Sequence, residues 1–289
     1  MTSEVKSCLP FIGYPAAMVA PSPPPALGAL LREWRIARRF TQQELADRAE
    51  VSVRHLSFLE TGRAGASREM VLVLGNALDL PLRERNLLLG AAGFAPAYRE
   101  TSLHEPPMAH VRRALDHLLA QQEPFPAVVL DRSWNVLRMN LGAQRLFGHF
   151  LVPRHPPAIV LGNLAHALFH PEGLRHVIVD WPLVAVAAAE RLHREAAADP
   201  SEGGPRALRD AVLAYPGIPD RLRQPRLLDA PPIALPLCLR APDGVEARFF
   251  TTLTTLGTPL DVTAEELRIE SYFPLDDATD AFLRALAGA

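Results

Sequence analysis

Arg54 is the side chain in this sequence with the most pointed chemistry. It stands two residues after Ser52 in the stretch 41–62, TQQELADRAEVSVRHLSFLETG. A guanidinium near the start of an exposed helix can donate two parallel hydrogen bonds to one guanine edge, worth roughly 1–3 kcal/mol of base discrimination. Val53 beside it offers methyl groups that suit a thymine, and His55, Ser57 and Phe58 continue the same helix. Gln42 and Gln43 open the preceding helix, where amides and backbone N–H groups can hold a phosphate. Ser52, Arg63 and Arg68 are further phosphate candidates.

Two short helices must position these groups. In the first, 42–49, Leu45, Ala46 and Ala49 lie three and four apart on one face. Thr41 and Glu44 have the spacing of a capping box. A turn through Glu50 and Val51 leads to Ser52, which caps the second helix; Leu56 and Leu59 point inward and Gly62 ends it. This is the pattern of a helix-turn-helix, whose second helix enters the major groove of duplex DNA.

The spacing TQxELAxxxxVSxxxLSxLExG resembles the XRE family of lambda-repressor-like regulators. Glu50 departs from it, because the family places Gly at that turn. A positive φ there costs a side chain about 1 kcal/mol, unless the turn is built differently. The resemblance also implies that Arg35 pairs with Glu60, locking the first helix of the head onto the end of the recognition helix. Two independent surface charges are the alternative.

At 289 residues, 48% hydrophobic and 21% charged, the chain predicts a globular protein of two domains. No apolar run reaches the length of a membrane span. Residues 26–99 carry 11 Arg against 8 acidic residues, and residues 100–289 carry 18 Arg against 23. A basic front on an acidic rear suits a DNA-binding head whose body stays off DNA. Cys8 and Cys238 form no CxxC pair, which fits a reducing cytoplasm.

In order, residues 1–25 are rich in proline and predict a disordered arm with no signal peptide. Residues 26–99 predict a five-helix DNA-binding bundle. Its first helix buries Leu27, Leu30, Leu31, Trp34 and Ala37; the fourth, 67–78, follows Ser67; the fifth, 82–92, runs from Pro81 to Gly93. Residues 100–124 predict a linker and a connecting helix that helps dimerisation. The second domain, 125–289, opens with PAVVLDRSWNVLRMN, two strands around a turn, and Asn140 caps the next helix. A helical middle over 161–198 comes before three alternating strands. These place Ile233, Leu235, Leu237 and Leu239, then Val245, Ala247, Phe249, Thr251 and Leu253, then Leu267, Ile269, Ser271 and Phe273 on the core side. The expectation is a five-stranded antiparallel sheet with one covered face, a PAS-like α+β domain, closed by a helix over 277–286.

The blocks PAVVLDRSWNVLRMN, LFHPEGLRHVIVDW and RFFTTLTTLGTPLDVTAEELRIESYFPLDDAT resemble the ligand-binding domain of MmyB-like transcription regulators. That resemblance implies a cytoplasmic regulator whose sensor holds a small molecule, with a fatty acid as one implied ligand. Val128, Leu130, Leu137, Met139, Phe147, Leu168, Phe169, Trp181, Val184, Phe249 and Leu253 are candidate cavity walls, each also readable as plain core. Arg175 is the candidate carboxylate anchor, against a salt bridge to Asp180 or a surface role; Arg138 is a weaker one. His166 and His170, four apart, have a metal-binding spacing but no third ligand nearby, so no metal is expected. No GxSxG elbow, P-loop or GxGxxG loop appears, which leaves no positive case for catalysis or a resident cofactor. The expected partners are an inverted-repeat duplex, a small-molecule effector and a second copy of the chain. The rival reading is a DNA-binding adaptor whose rear domain recruits a protein without ligand.

Overall fold

The computed structural model describes residues 26–151, 156–198, 203–224 and 236–288. The expected arm over 1–25, and Ile233 and Leu235 of the first rear strand, lie outside the described residues.

The head contains α1 (Leu27–Ala37), α2 (Gln42–Arg48), α3 (Val53–Glu60), α4 (Arg68–Ala77) and α5 (Leu82–Ala91). Local chemistry sets each start. Thr41 and Glu44 form a reciprocal capping box on α2. Ser52 accepts from the His55 N–H at 3.1 Å, and Ser67 from the Met70 N–H at 3.2 Å. The turn between α2 and α3 keeps its left-handed residue, with Glu50 at φ 54°. Leu31, Trp34, Leu45, Leu56, Leu59 and Leu74 meet in one core. Gly28 lets α1 cross the end of α3, because a Cβ there would lie 2.5 Å from the Leu59 carbonyl oxygen.

The chain then runs through a short 3-10 turn (Pro106–Met108) into α6 (Ala109–Gln122). The rear domain's strands are β1 (Ala127–Leu130), β2 (Val136–Met139), β3 (Leu237–Arg240), β4 (Glu246–Thr255) and β5 (Arg268–Pro274). They form one antiparallel sheet in the order β2-β1-β5-β4-β3. Between β2 and β3 lie α7 (Leu141–Phe150), α8 (Ala158–Gly162), α9 (Leu164–Phe169), α10 (Trp181–Ala197) and α11 (Gly204–Leu213). The last was not anticipated. α12 (Val262–Glu266) precedes β5, and α13 (Asp277–Gly288) follows it.

The sheet departs from the expectation of one covered face. Val128, Leu130, Phe249 and Tyr272 join a large core under α7, α9 and α10. On the other face Leu115 and Leu119 of α6 cover Ala127, Val129 and Ile269. Strand β5 is therefore turned over relative to the sequence reading. Ile269 packs under α6, Phe273 is exposed, and Glu270 and Tyr272 face the helical side. Because α6 needed apolar partners too, hydrophobic residues on this strand did not mark a single face.

Candidate functional site

The head presents α3 outward. Ser52 and Arg54 are exposed, and Val53, His55, Ser57 and Phe58 are half-buried along the same helix. The Arg54 guanidinium lies 5.4 Å from the Phe58 ring centre, which keeps it extended along the helix surface. Gln43, Arg63 and Arg68 are also exposed. Gln42 is placed differently from the expectation of a phosphate contact. Its amide donates to Glu60 Oε2 at 2.8 Å, so the side chain is spent inside the head.

Behind α3, Arg35 and Glu60 form a two-pronged ion pair, Nε to Oε1 at 2.6 Å and Nη2 to Oε2 at 2.9 Å. Arg35 also donates to the Phe40 carbonyl at 2.9 Å. Burial opposes charge on Glu60, but the bonds from Arg35 and Gln42 outweigh it and hold the carboxyl below its ordinary range. The head's contacts with the rear domain come from α5 and the segment after it, where Leu82, Arg83 and Thr101 bond to Glu265, Glu266 and Asp261.

The rear domain holds a 370 Å³ cavity between the sheet and the helices. Of the twelve residues expected to wall or anchor a ligand, Phe147, Leu168 and Val184 line it. Val128, Leu130, Phe169, Trp181 and Phe249 lie in the core behind its wall, with Met139 packed against them. Leu137 belongs to the α6 side of the sheet. Leu253 is on the cavity face of β4, opposite Glu270, but is 45% exposed and lies outside the lining. Arg175 is no anchor for this cavity. It donates to the Pro216 and Gly217 carbonyls at 2.8 and 2.7 Å and lies 4.5 Å from the Trp181 ring centre. Arg138 pairs with Asp116.

The polar end of the cavity was missed. Arg191, on α10, donates from Nε to Glu195 at 3.0 Å and from Nη1 to Glu270 at 3.4 Å. Its guanidinium lies 4.1 Å from the Trp134 ring centre, and its buried Nη2 has no hydrogen-bond partner. Trp134 donates its indole N–H to Glu195 at 2.6 Å, and the Tyr272 hydroxyl donates to Glu270 at 3.0 Å. Burial pushes the Glu270 carboxyl up, against the pull of Arg191, and pushes the Tyr272 hydroxyl well up. The arrangement is a mostly apolar pocket whose lining includes the Arg191 guanidinium and the buried Glu270 carboxyl. The signal in the sequence was Arg191 and Glu195 at i,i+4 on a helix whose other side is alanine and leucine.

His166 and His170 both contact the Tyr215 ring, and His166 Nδ1 lies 2.6 Å from the Tyr215 hydroxyl. Burial, then the neighbouring His170, pushes His166 down to about 4, so it is neutral at pH 7. Among the described residues no group of three or more His, Cys, Asp or Glu is placed to hold a metal ion, and no helix is long and apolar enough to cross a membrane.

The head thus presents an outward helix-turn-helix, and the rear domain carries a half-open, mostly apolar pocket. Comparison with known families agrees. Residues 111–286 match the MmyB-like transcription regulator ligand binding domain, and residues 26–88 match a helix-turn-helix domain. The chain belongs to the MmyB-like transcription regulators. No curated protein matches it. Among solved structures, one described as "Structure of an RNA-binding Light-Oxygen-Voltage Receptor" is 13% identical at a TM-score of 0.26, covering 91% of this chain and 63% of that one. The chain thus spans under two thirds of that protein's length, and a superposition this loose carries no argument about function.

Proposed function

We propose that this protein is a cytoplasmic, homodimeric repressor or activator that reads an inverted-repeat operator and responds to a fatty acid or a similar apolar carboxylate. The observation carrying the ligand half is Arg191, which lines the mostly apolar pocket and whose buried Nη2 has no hydrogen-bond partner. A desolvated guanidinium favours a planar two-oxygen acceptor. Glu195 and Glu270 flank Arg191 and offset part of its charge, while burial pushes the Glu270 carboxyl up. The acyl chain would lie against Phe147, Leu168 and Val184. For the DNA half, Arg54 reads bases while Ser52, Arg63 and Arg68 hold phosphates; a single head covers only a few base pairs, so a two-fold dimer is needed for a selective site.

The test is to extract the purified full chain and identify any bound small molecule by mass spectrometry, then titrate the delipidated protein with tetradecanoate. Saturable binding at one molecule per chain, lost in Arg191→Met, supports the assignment. Binding that Arg191→Met leaves unchanged, or no binding of any straight-chain carboxylate, contradicts it.

A further inference from the structure

The short helix α12 joins the cavity to the DNA-binding head. Helix α5 begins at Leu82 behind Pro81, which supplies no side-chain cap. Its first free N–H, on Leu82, instead donates to Glu265 Oε2 at 2.7 Å, a carboxylate from the rear domain 183 residues away. The next residue along α12, Glu266, takes two bonds from Arg83 of α5, at 2.7 and 3.0 Å, and one from Arg132 at 3.1 Å. Arg83 also pairs with Glu100. At the front of α12, Asp261 accepts from the Thr101 N–H at 3.2 Å, and the Val262 N–H donates to the Arg99 carbonyl at 2.8 Å. A helix of five residues is too short to hold itself and depends on such end contacts.

Both chain segments that make this latch also supply the polar end of the cavity. After Glu266 only Leu267 intervenes before β5, which carries Arg268 and the cavity residue Glu270. Arg268 lies 3.9 Å from Glu195. In the β1–β2 turn, Arg132 of the latch is followed two residues later by Trp134 of the cavity wall. Trp134 sits at φ 61°, a conformation a bulky side chain adopts only when its surroundings impose it, and its indole bond to Glu195 is such a constraint. Beyond the latch, α5 packs on α1 and α4, and α1 is tied to α3 by Gly28 and by the Arg35–Glu60 pair.

We infer that α12 is the transmission element of this regulator: a change at the Arg191 end of the cavity acts through β5 and the β1–β2 turn on Glu265 and Glu266, and so on the start of α5. The inference rests on the ligand-responsive reading above and names its route. A ligand that engages Arg191 competes for the group that bonds Glu195 and Glu270 and stacks on Trp134; Trp134 lies two residues from Arg132, and Glu270 four residues from Glu266. Ser52 and Arg54 of the recognition helix are exposed with the latch closed. On this route regulation works through the orientation and firmness of the head.

Hydrogen exchange on the full-length protein tests this without needing to know ligand or operator. Arg191→Met is expected to change exchange at the first-turn amides of α5 by at least threefold, and Trp134→Phe, which keeps the ring and loses the indole donor, gives a second perturbation if the first unfolds the rear domain. In the Glu265→Gln/Glu266→Gln background those amides are already fast, and neither cavity substitution should alter them further. An α5 response that persists in the latch double variant would overturn the route, as would a change confined to β5. Failure of the ligand reading shows separately, as an absence of tetradecanoate binding, and leaves the exchange result interpretable.

Discussion

The guanidinium of Arg35 acts behind the recognition helix, where it holds Glu60 by two bonds. Side-chain exposures of 13% and 2% for Arg35 and Glu60 put the pair out of water, so removing one member leaves the other uncompensated. Arg35→Met should destabilise the head by about 3–5 kcal/mol in a denaturant titration, where a pair of independent surface charges would lose under about 1 kcal/mol. The Glu60 carboxyl lies below its unfolded value, so its stabilisation is present above the ordinary carboxylate pKa of about 4.3 and is lost as pH falls through that range to the lower folded value. A pH series of melting curves should show a steeper acid loss in the wild type than in Glu60→Gln. Glu50 is the opposite case, a side chain held at φ 54° where glycine would be unstrained. Glu50→Gly should raise head stability by about 0.5–1 kcal/mol, with DNA binding retained; a loss of stability would mean that the Glu50 side chain compensates its own backbone cost.

At the level of elements, the head was legible and the chamber was not. A helix with one partner face writes a period of 3.6 into its sequence, and caps such as Thr41, Ser52 and Ser67 mark its start, so α2, α3 and α4 could be read to within a residue or two. Strand β5 is buried on both faces, so Ile269 signals only that some face is covered; the chemistry sits on the alternate residues Glu270 and Tyr272. Arg175 drew notice by its neighbours in sequence, but its partners are carbonyls of the loop after α11, an element the sequence did not announce. Arg191 was overlooked because an i,i+4 pair with Glu195 on an alanine-rich helix reads as a solvated face. The buried carboxyl of Glu270 carries a prediction at this scale. Its folded pKa is raised, so its contribution to stability is complete below the unfolded value of about 4.3 and is lost as pH rises through the raised folded value. Thermal melts of the ligand-free protein should show that loss on raising pH, and Glu270→Gln should remove it. An unchanged profile in Glu270→Gln would place the titrating group elsewhere.

As a whole molecule, the protein is two domains meeting at one charged seam. The residues proposed to meet DNA lie on α3 and beside it, and among the described residues the head is tied to the rear domain by the bonds of Leu82 and Arg83 to Glu265 and Glu266. This geometry calls for coupling of the ordinary size, about 1–3 kcal/mol, since a handful of ion pairs and one helix start are what change. By linkage, DNA must shift ligand affinity by the same factor as ligand shifts DNA affinity. The direct measurement is fluorescence anisotropy of a duplex selected by this protein from random sequence, titrated with and without saturating tetradecanoate. The account predicts a change in midpoint of about 5–150-fold in the wild type, no such change in Arg191→Met, and no tight binding in Arg54→Ala. Midpoints that coincide with and without a ligand known to be bound would contradict it.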